Sequence, residues 1–277
     1  MSKPQIKQFK TGANMIVYKL GPNLKIHTYV SGEDSFGDAT HIIETENYLT
    51  IIDSQYLKKY AKEFRAYAER LGKPGSVIIS HSHPDHYLGL QYFKDVDIYA
   101  LEEVIEDIKT KGNAMLKESQ KSLGKDALAD EVIIPNKVLR TGEVIFDDVK
   151  YKYSSYKDAE SDIQLVIELP EHKIIIVQDL VYNGYHSWID NPKNINSWIS
   201  IIEDLKKIPT SMVLVGHGQP TSKHSYDSMI RYLSYVSSIF DNYTDSKDIK
   251  RKIVEAYPEK KRKGGKIIDM YLSYLSQ

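Results

Sequence analysis

The chain contains no cysteine. Disulfide frameworks, zinc ribbons and cysteine nucleophiles are thereby excluded, so any metal site must be built from His, Asp and Glu. Long apolar runs are also missing, and none approaches the roughly 20 residues of a membrane span. The segment from Met1 to Gln8 lacks the apolar stretch of a signal peptide. The expected location is therefore the cytoplasm, with no membrane partner. Charge of one sign is lacking too: 37 Lys and Arg stand against 38 Asp and Glu, a formal net charge of −1. That balance gives no reason to expect nucleic acid as the main partner. No Gly-x-Ser-x-Gly elbow occurs, which removes that serine-nucleophile arrangement.

What is present is an ordinary globular composition, 41% hydrophobic over 277 residues, ample for a sizeable core. Met15–Leu20 and Leu24–Val30 read as strands around the turn Gly21-Pro22-Asn23. Thr40–Thr45 and Tyr48–Asp53 form a second hairpin pattern. Lys58–Leu71 carries apolar residues at spacings of three and four, a helical pattern, and Gly72-Lys73-Pro74-Gly75 stops it. Val77-Ile78-Ile79 is a short buried strand, and Tyr87–Phe93 a short helix. Leu101–Lys121 reads as a helix with a break at Gly112-Asn113. Strands return at Glu143–Phe146, Val149–Ser154, Gln164–Leu169 and Lys173–Val177. Ser197–Lys207 is helical, Met212–Val215 a strand, and the pattern from Ser225 onward is helical. Strands with interspersed helices on the outside suggest an αβ/βα sandwich. The expected division is residues 1–224 as the sandwich and 225–277 as a helical extension packed on it.

The chemistry concentrates in Ser80-His81-Ser82-His83-Pro84-Asp85-His86. Three of the nine histidines sit here beside an Asp. His81 and His83 alternate, so they share a face of an extended segment, and Pro84 redirects the chain so that Asp85 and His86 turn to the same point. A His-rich surface loop is the plain alternative, but a buried strand before the segment and a helix after it favour a metal-binding loop.

His-x-His-x-Asp-His after a short apolar strand resembles the signature of the metallo-β-lactamase superfamily. Three further landmarks follow in that family's order. Tyr48–Asp53 is similar to its strand ending in Asp. Lys173–Asp179 is similar to the strand ending in a metal-bridging Asp. Val213-Leu214-Val215-Gly216-His217-Gly218 is similar to the strand ending in the last His ligand. The resemblance implies a four-layer αβ/βα sandwich and a dinuclear site. It implies that His81 and His83 hold the first metal, that Asp85, His86 and His217 hold the second, and that Asp179 bridges them. Asp53 is read as orienting a ligand rather than binding metal. Taken singly, Asp53 and Asp179 read equally well as strand-end turn residues.

One position departs from that pattern. The family supplies a third His to the first metal shortly before a strand, and the corresponding position here is Glu160, in Asp158-Ala159-Glu160-Ser161-Asp162. A Glu at this place is similar to the alkylsulfatase branch. The chain is too short for that branch's extra domains, so the ligand carries over and the substrate does not. The plain alternative is a solvated loop acid, with His186 or His172 as fallback donors. Counting charge, two divalent cations are balanced by Asp85, Asp179, Glu160 and one hydroxide. A neutral cluster acidifies water less and attracts anions less than the all-His version. Two divalent ions are expected, with zinc first and manganese or iron admitted by the harder oxygen donor.

The implied activity is metal-dependent hydrolysis by a metal-bound hydroxide, with Asp85 also able to take up a proton. The bond is of ester, lactone, amide, sulfate or phosphate type in an unidentified small molecule. Tyr87, Tyr182, Tyr185, His186 and Trp188 follow the ligand loops and are candidates for a pocket, although with 21 tyrosines core or surface placement is the safer expectation for any one. The helical tail is a candidate for capping the pocket or pairing two copies as a homodimer. Two other readings stand beside this one. An iron-dependent redox enzyme on the same fold is distinguished by bound-metal analysis. A noncatalytic nucleic-acid binder rests on the basic run from Lys260 to Lys263 with Lys266, and is distinguished by salt-dependent binding.

Overall fold

A computed structural model of the chain describes residues 3–260 and 264–276. Residues 261–263 of the basic run lie outside the described residues. An eight-stranded sheet follows chain order: β1 (Gln5–Gln8), β2 (Asn14–Lys19), β3 (Lys25–Val30), β4 (Ala39–Glu44), β5 (Leu49–Ile52), β6 (Gly75–Ile78), β7 (Ile98–Ala100) and β8 (Lys137–Val138). It is antiparallel from β1 to β5 and parallel from β5 to β8. Helices α1 (Lys58–Arg70), α2 (Pro84–Tyr87) and α3 (Glu102–Leu123) belong to this half.

The second sheet has five strands: β9 (Gly142–Phe146), β10 (Val149–Lys157), β11 (Ile163–Leu169), β12 (Ile174–Tyr182) and β13 (Met212–His217). Only β12 and β13 pair in parallel, and a parallel pair needs a crossover, which α4 (Ile195–Leu205) supplies. Helices α5 (His224–Asn242), α6 (Ser246–Ala256) and α7 (Gly264–Leu275) complete the chain.

The apolar runs explain the layering. In β12, Ile174 and Ile176 belong to one buried cluster with Ile42, Ile51, Tyr60 and Phe64. Ile175 and Val177 belong to another with Trp198, Ile202 and Leu233. β13 repeats the division, with Met212 and Leu214 on one side and Val213 and Val215 on the other. Successive strand residues point to opposite faces, so a continuous run of Ile and Val is buried on both. One face meets the first sheet and the other meets helices. The result is the four-layer α/β sandwich that the sequence led us to expect. Tyr226, Met229, Val236, Ile268 and Tyr271 from the C-terminal helices fill the same outer cluster. Among the described residues, no helix is long and apolar enough to cross a membrane.

Several expected elements differ. α3 runs through Gly112 without a break. A Cβ there would lie 3.0 Å from Val132 Cγ1 and 3.5 Å from the Tyr87 hydroxyl, so this glycine serves close packing rather than termination. The expected helix Tyr87–Phe93 is α2 followed by a 3₁₀ turn over Leu88–Tyr92. A Cβ on Gly89 in that turn would fall 1.9 Å from the Ser54 carbonyl oxygen, which draws the turn against the end of β5. The strand expected to end at Val177 continues to Tyr182. Register shifts beside Gln178, whose φ is 42°, form a bulge in it. β1, β7 and β8 are too short or too exposed to carry a sequence signal.

Two extensive apolar clusters stabilise the layers without any bound ion. Chelation should therefore abolish activity while most of the far-UV circular dichroism persists. Complete unfolding in chelator would show instead that the metal is structural.

Candidate metal centre

The site gathers at one edge of the sandwich, where several strands end. β6 is followed by the His81–His86 segment, β12 carries Asp179, and β13 ends on His217. Glu160 lies in the short connection between β10 and β11, which backbone bonds from Asp158 to Asp162 and from Ala159 to Ser161 hold tight. Asp158 and Asp162 face solvent, but Glu160 is fully buried. A solvated loop acid does not fit that position.

The sequence-predicted donors come together. His81, His83 and Glu160 form one group, His81, His86 and Asp179 a second, and Asp85, His86 and His217 a third, each with candidate ligand atoms within 4.8 Å. Glu160 Oε1 is 3.1 Å from His83 Nδ1, and its Oε2 is 3.5 Å from His81 Nε2. Asp179 Oδ1 is 3.4 Å from His86 Nε2, and its Oδ2 is 3.1 Å from His217 Nε2. Asp85 Oδ2 lies 3.3 Å from His217 Nε2 and 3.7 Å from His86 Nε2.

The outer ring nitrogens are tethered. His86 Nδ1 lies 2.8 Å from Asp53 Oδ2. His81 Nδ1 lies 3.0 Å from Ser80 Oγ, which donates to Asp53. His217 Nδ1 lies 3.1 Å from the Phe36 carbonyl oxygen. Assigning the protons to these tethered nitrogens leaves the Nε2 lone pair of each ring facing inward, the tautomer a cation requires. Asp53 also accepts from the Ser80 amide at 2.8 Å and from Gln178 Nε2. Its φ of 64° is a left-handed conformation that Asp tolerates. Gln178 Oε1 in turn accepts from His41 Nε2 at 3.0 Å.

The donor set fits a cation on independent grounds. His86 Nε2, Glu160 Oε2 and Asp179 Oδ1 are buried and make no hydrogen bond. Orphaned atoms of this kind are costly unless a charge completes them. Electrostatics agrees. Burial pushes the Glu160 carboxyl up to about 7. Burial alone would lower His86 and His217, but Asp179 foremost, with Asp85, outweighs it and raises both. A divalent cation supplies that positive charge in place of protons, so metal affinity should weaken as the pH is lowered and these groups take up protons.

A cavity of about 260 Å³ opens on the cluster. Asp85, Glu160, Asp179, Tyr182 and His217 line its inner end. Tyr182 donates to Asp179 Oδ2 at 2.5 Å and stacks on the His217 ring, with centroids 4.7 Å apart. Three expected pocket residues, Tyr87, Tyr185 and His186, lie elsewhere. Tyr87 is packed in the inter-sheet cluster, with its hydroxyl turned to Met115 Sδ at 3.8 Å. His186 Nδ1 faces the Tyr232 hydroxyl at 3.2 Å and joins none of the donor groups, so it is not the missing donor. Tyr185 packs against Gly37, and His172 lies in the 3₁₀ turn before β12.

Some residues here carried no motif. Asp38, 3.5 Å from His217 Nδ1, is raised to about 8, chiefly by burial and then by Asp85. His41 and Gln178 were legible only as lone polar residues in apolar strands, which must find partners when buried.

The family model of the metallo-β-lactamase superfamily matches residues 37–217. The chain belongs to this superfamily. No curated protein matches the sequence. Among solved structures, a metallo-β-lactamase from Pontibacter korlensis has a TM-score of 0.60 at 16% identity, covering 79% of this chain and 99% of that one. The DIM-1 metallo-β-lactamase has a TM-score of 0.57 at 16% identity, covering 83% and 99%. VMB-1 has a TM-score of 0.59 at 15% identity, covering 80% and 98%. At such identities the likeness shows the superfamily's fold and nothing of its substrates.

Gly216, one residue before His217, lets Asp179 in. A Cβ there would fall 1.7 Å from Asp179 Oδ1 and 3.2 Å from His86 Cε1. Gly216→Ala should therefore weaken metal binding by about 10–100-fold although it removes no donor. Calorimetric titration of the chelated protein with zinc measures this, and unchanged affinity would contradict it.

Proposed function

We propose that this chain is a metal-dependent hydrolase of a small molecule, with His81, His83 and Glu160 holding one divalent ion, Asp85, His86 and His217 a second, and Asp179 between them. The observation that carries the reading is the convergence of these seven side chains, with orphaned His86, Glu160 and Asp179 atoms, at the inner end of a cavity. Zinc is the first expectation, with manganese or iron compatible with the oxygen donors.

Divalent ions held there would supply Lewis acidity and an acidified water. The chain's own contribution is positional and protonic. Asp53 orients His86 and, through Ser80, His81. Asp85 has its side chain 23% exposed while that of Asp179 is 2% exposed. It is the cluster's accessible acid, suited to take up a proton from water and return it to the leaving group. The Tyr182 hydroxyl lines the cavity, donates to Asp179 and lies 3.3 Å from Glu160, so it holds the two carboxylates in place relative to each other.

A panel of lactones, thioesters, phosphodiesters, sulfate esters and β-lactams, run with defined metals, tests the activity. Turnover of at least one class should disappear with chelator and return with zinc or manganese. No turnover with any metal, or iron with oxygen consumption, would overturn the hydrolytic reading. Glu160→Gln should bind one metal at least about ten-fold more weakly than the other, seen as a fractional metal stoichiometry. Two ions bound as tightly as in the parent would remove Glu160 from the donor set. Glu160→His would make the cluster one unit more positive, and the acidic limb of the pH–rate profile should move downward.

A further inference from the structure

Away from the donor cluster, the cavity wall changes character. Met115 comes from α3, Trp188 from the loop after β12, and Ile267, Met270 and Tyr274 from α7. Ile267, Met270 and Tyr274 follow at spacings of three and four, so they form one face of α7. The Trp188 ring lies between the two ends of the cavity, with its centroid 6.3 Å from that of His83 and 5.9 Å from that of Tyr274.

Among the described residues lining the cavity, none is Lys or Arg. The charged side chains beyond the cluster are acidic, Glu118 and Asp190. An anionic group held against this wall would lose its hydration and meet Glu118 and Asp190, with no lining Lys or Arg among the described residues to pair with it. An apolar group gains by leaving water. α7 also lies beyond the segment 37–217 matched by the superfamily. Ile267, Met270 and Tyr274 thus lie outside the matched segment, whereas Met115 and Trp188 lie within it.

We infer that the substrate is a neutral ester-like molecule carrying an apolar chain or ring, which seats against Met115, Trp188, Ile267, Met270 and Tyr274 while its scissile group lies at the donor cluster. The inference rests on the hydrolase reading for the scissile group, but the apolar seat can be measured without catalysis.

Methyl alkyl ketones resemble such substrates and contain no bond to hydrolyse. The metal-loaded full chain is titrated with the series from methyl propyl to methyl heptyl ketone, followed by tryptophan fluorescence, with Trp188→Phe identifying the responding residue. Affinity should rise about four-fold per methylene, roughly 250-fold across the four added. A ketone of equal length ending in a carboxylate should bind at least about ten-fold more weakly. Met270→Glu should flatten the length dependence, and Met270→Leu, similar in volume, should keep it. Affinity independent of length, or equal affinity for the carboxylate, would overturn the inference. Length-dependent ketone binding in a protein that hydrolyses no ester, lactone or thioester would support the seat and sink the hydrolase reading alone.

Discussion

The site depends on one buried carboxylate. Asp53 stands at the end of β5 in the first sheet and accepts from Ser80, His86 and Gln178. Two of these partners lie in the loop that carries the candidate donors, and the third lies in the second sheet. Gln178 passes the connection to His41, which returns it to the first sheet through Thr28 and also bonds the Val215 carbonyl of β13. Burial lowers His41 to about 4 and keeps it neutral, so no uncompensated charge sits in the middle of this network. Asp53, Ser80, Gln178 and His41 each find partners in this buried polar network, which restricts the arrangements open to its members. The relative position of the two sheets is thereby tied to the tautomers of the histidines.

The two sheets bring different things to that edge. The first contributes the flexible chemistry, a loop dense in His and Asp after β6. The second contributes stiffness. β12 and β13 are buried on both faces and pair in parallel, so Asp179 and His217 emerge at the same end. The bulge at Gln178 uses a left-handed residue to fit both Gln178 and Asp179 to the site edge. Gly216 leaves the gap that Asp179 occupies. Orphaned donor atoms persist here because the surrounding packing holds them, a cost offset only by a ligand of opposite charge.

The C-terminal helices bring the third contribution. α5 and α7 fill the outer core against β12 and β13, and α7 also presents three side chains to the cavity. Core packing and the cavity wall are therefore coupled in one element, with Ile267 taking part in both.

Much was determined by the sequence alone. The short apolar runs at Thr40–Thr45, Tyr48–Asp53 and Met212–Val215 and the three-four spacing in Lys58–Leu71 specify their elements locally, because a run bounded by turn residues and a staggered apolar face are properties of the chain itself. His81, His83, Asp85 and His86 are adjacent in sequence, so their convergence needed only a turn. Asp179 and His217 were legible because each follows an apolar run and falls in the superfamily's order of landmarks, and Glu160 because a donor was missing where an acid stood. The rest is long-range. His41 meets Gln178 across 137 residues, and His217 meets the Phe36 carbonyl across 181. No local pattern encodes such pairs, since only the packing of two sheets brings them within hydrogen-bond range. Gly112 reads as a helix break, yet Val132 and Tyr87 close on it and make it a contact. Tyr87 and His186 read as pocket residues by their nearness in sequence to the ligands, but Tyr87, at the end of α2, packs into the core, and His186, in the loop after β12, turns to Tyr232. The apolar wall from Met115 and α7 has no sequence signature at all, because an amphipathic face does not say which of its residues will meet core and which will meet a cavity.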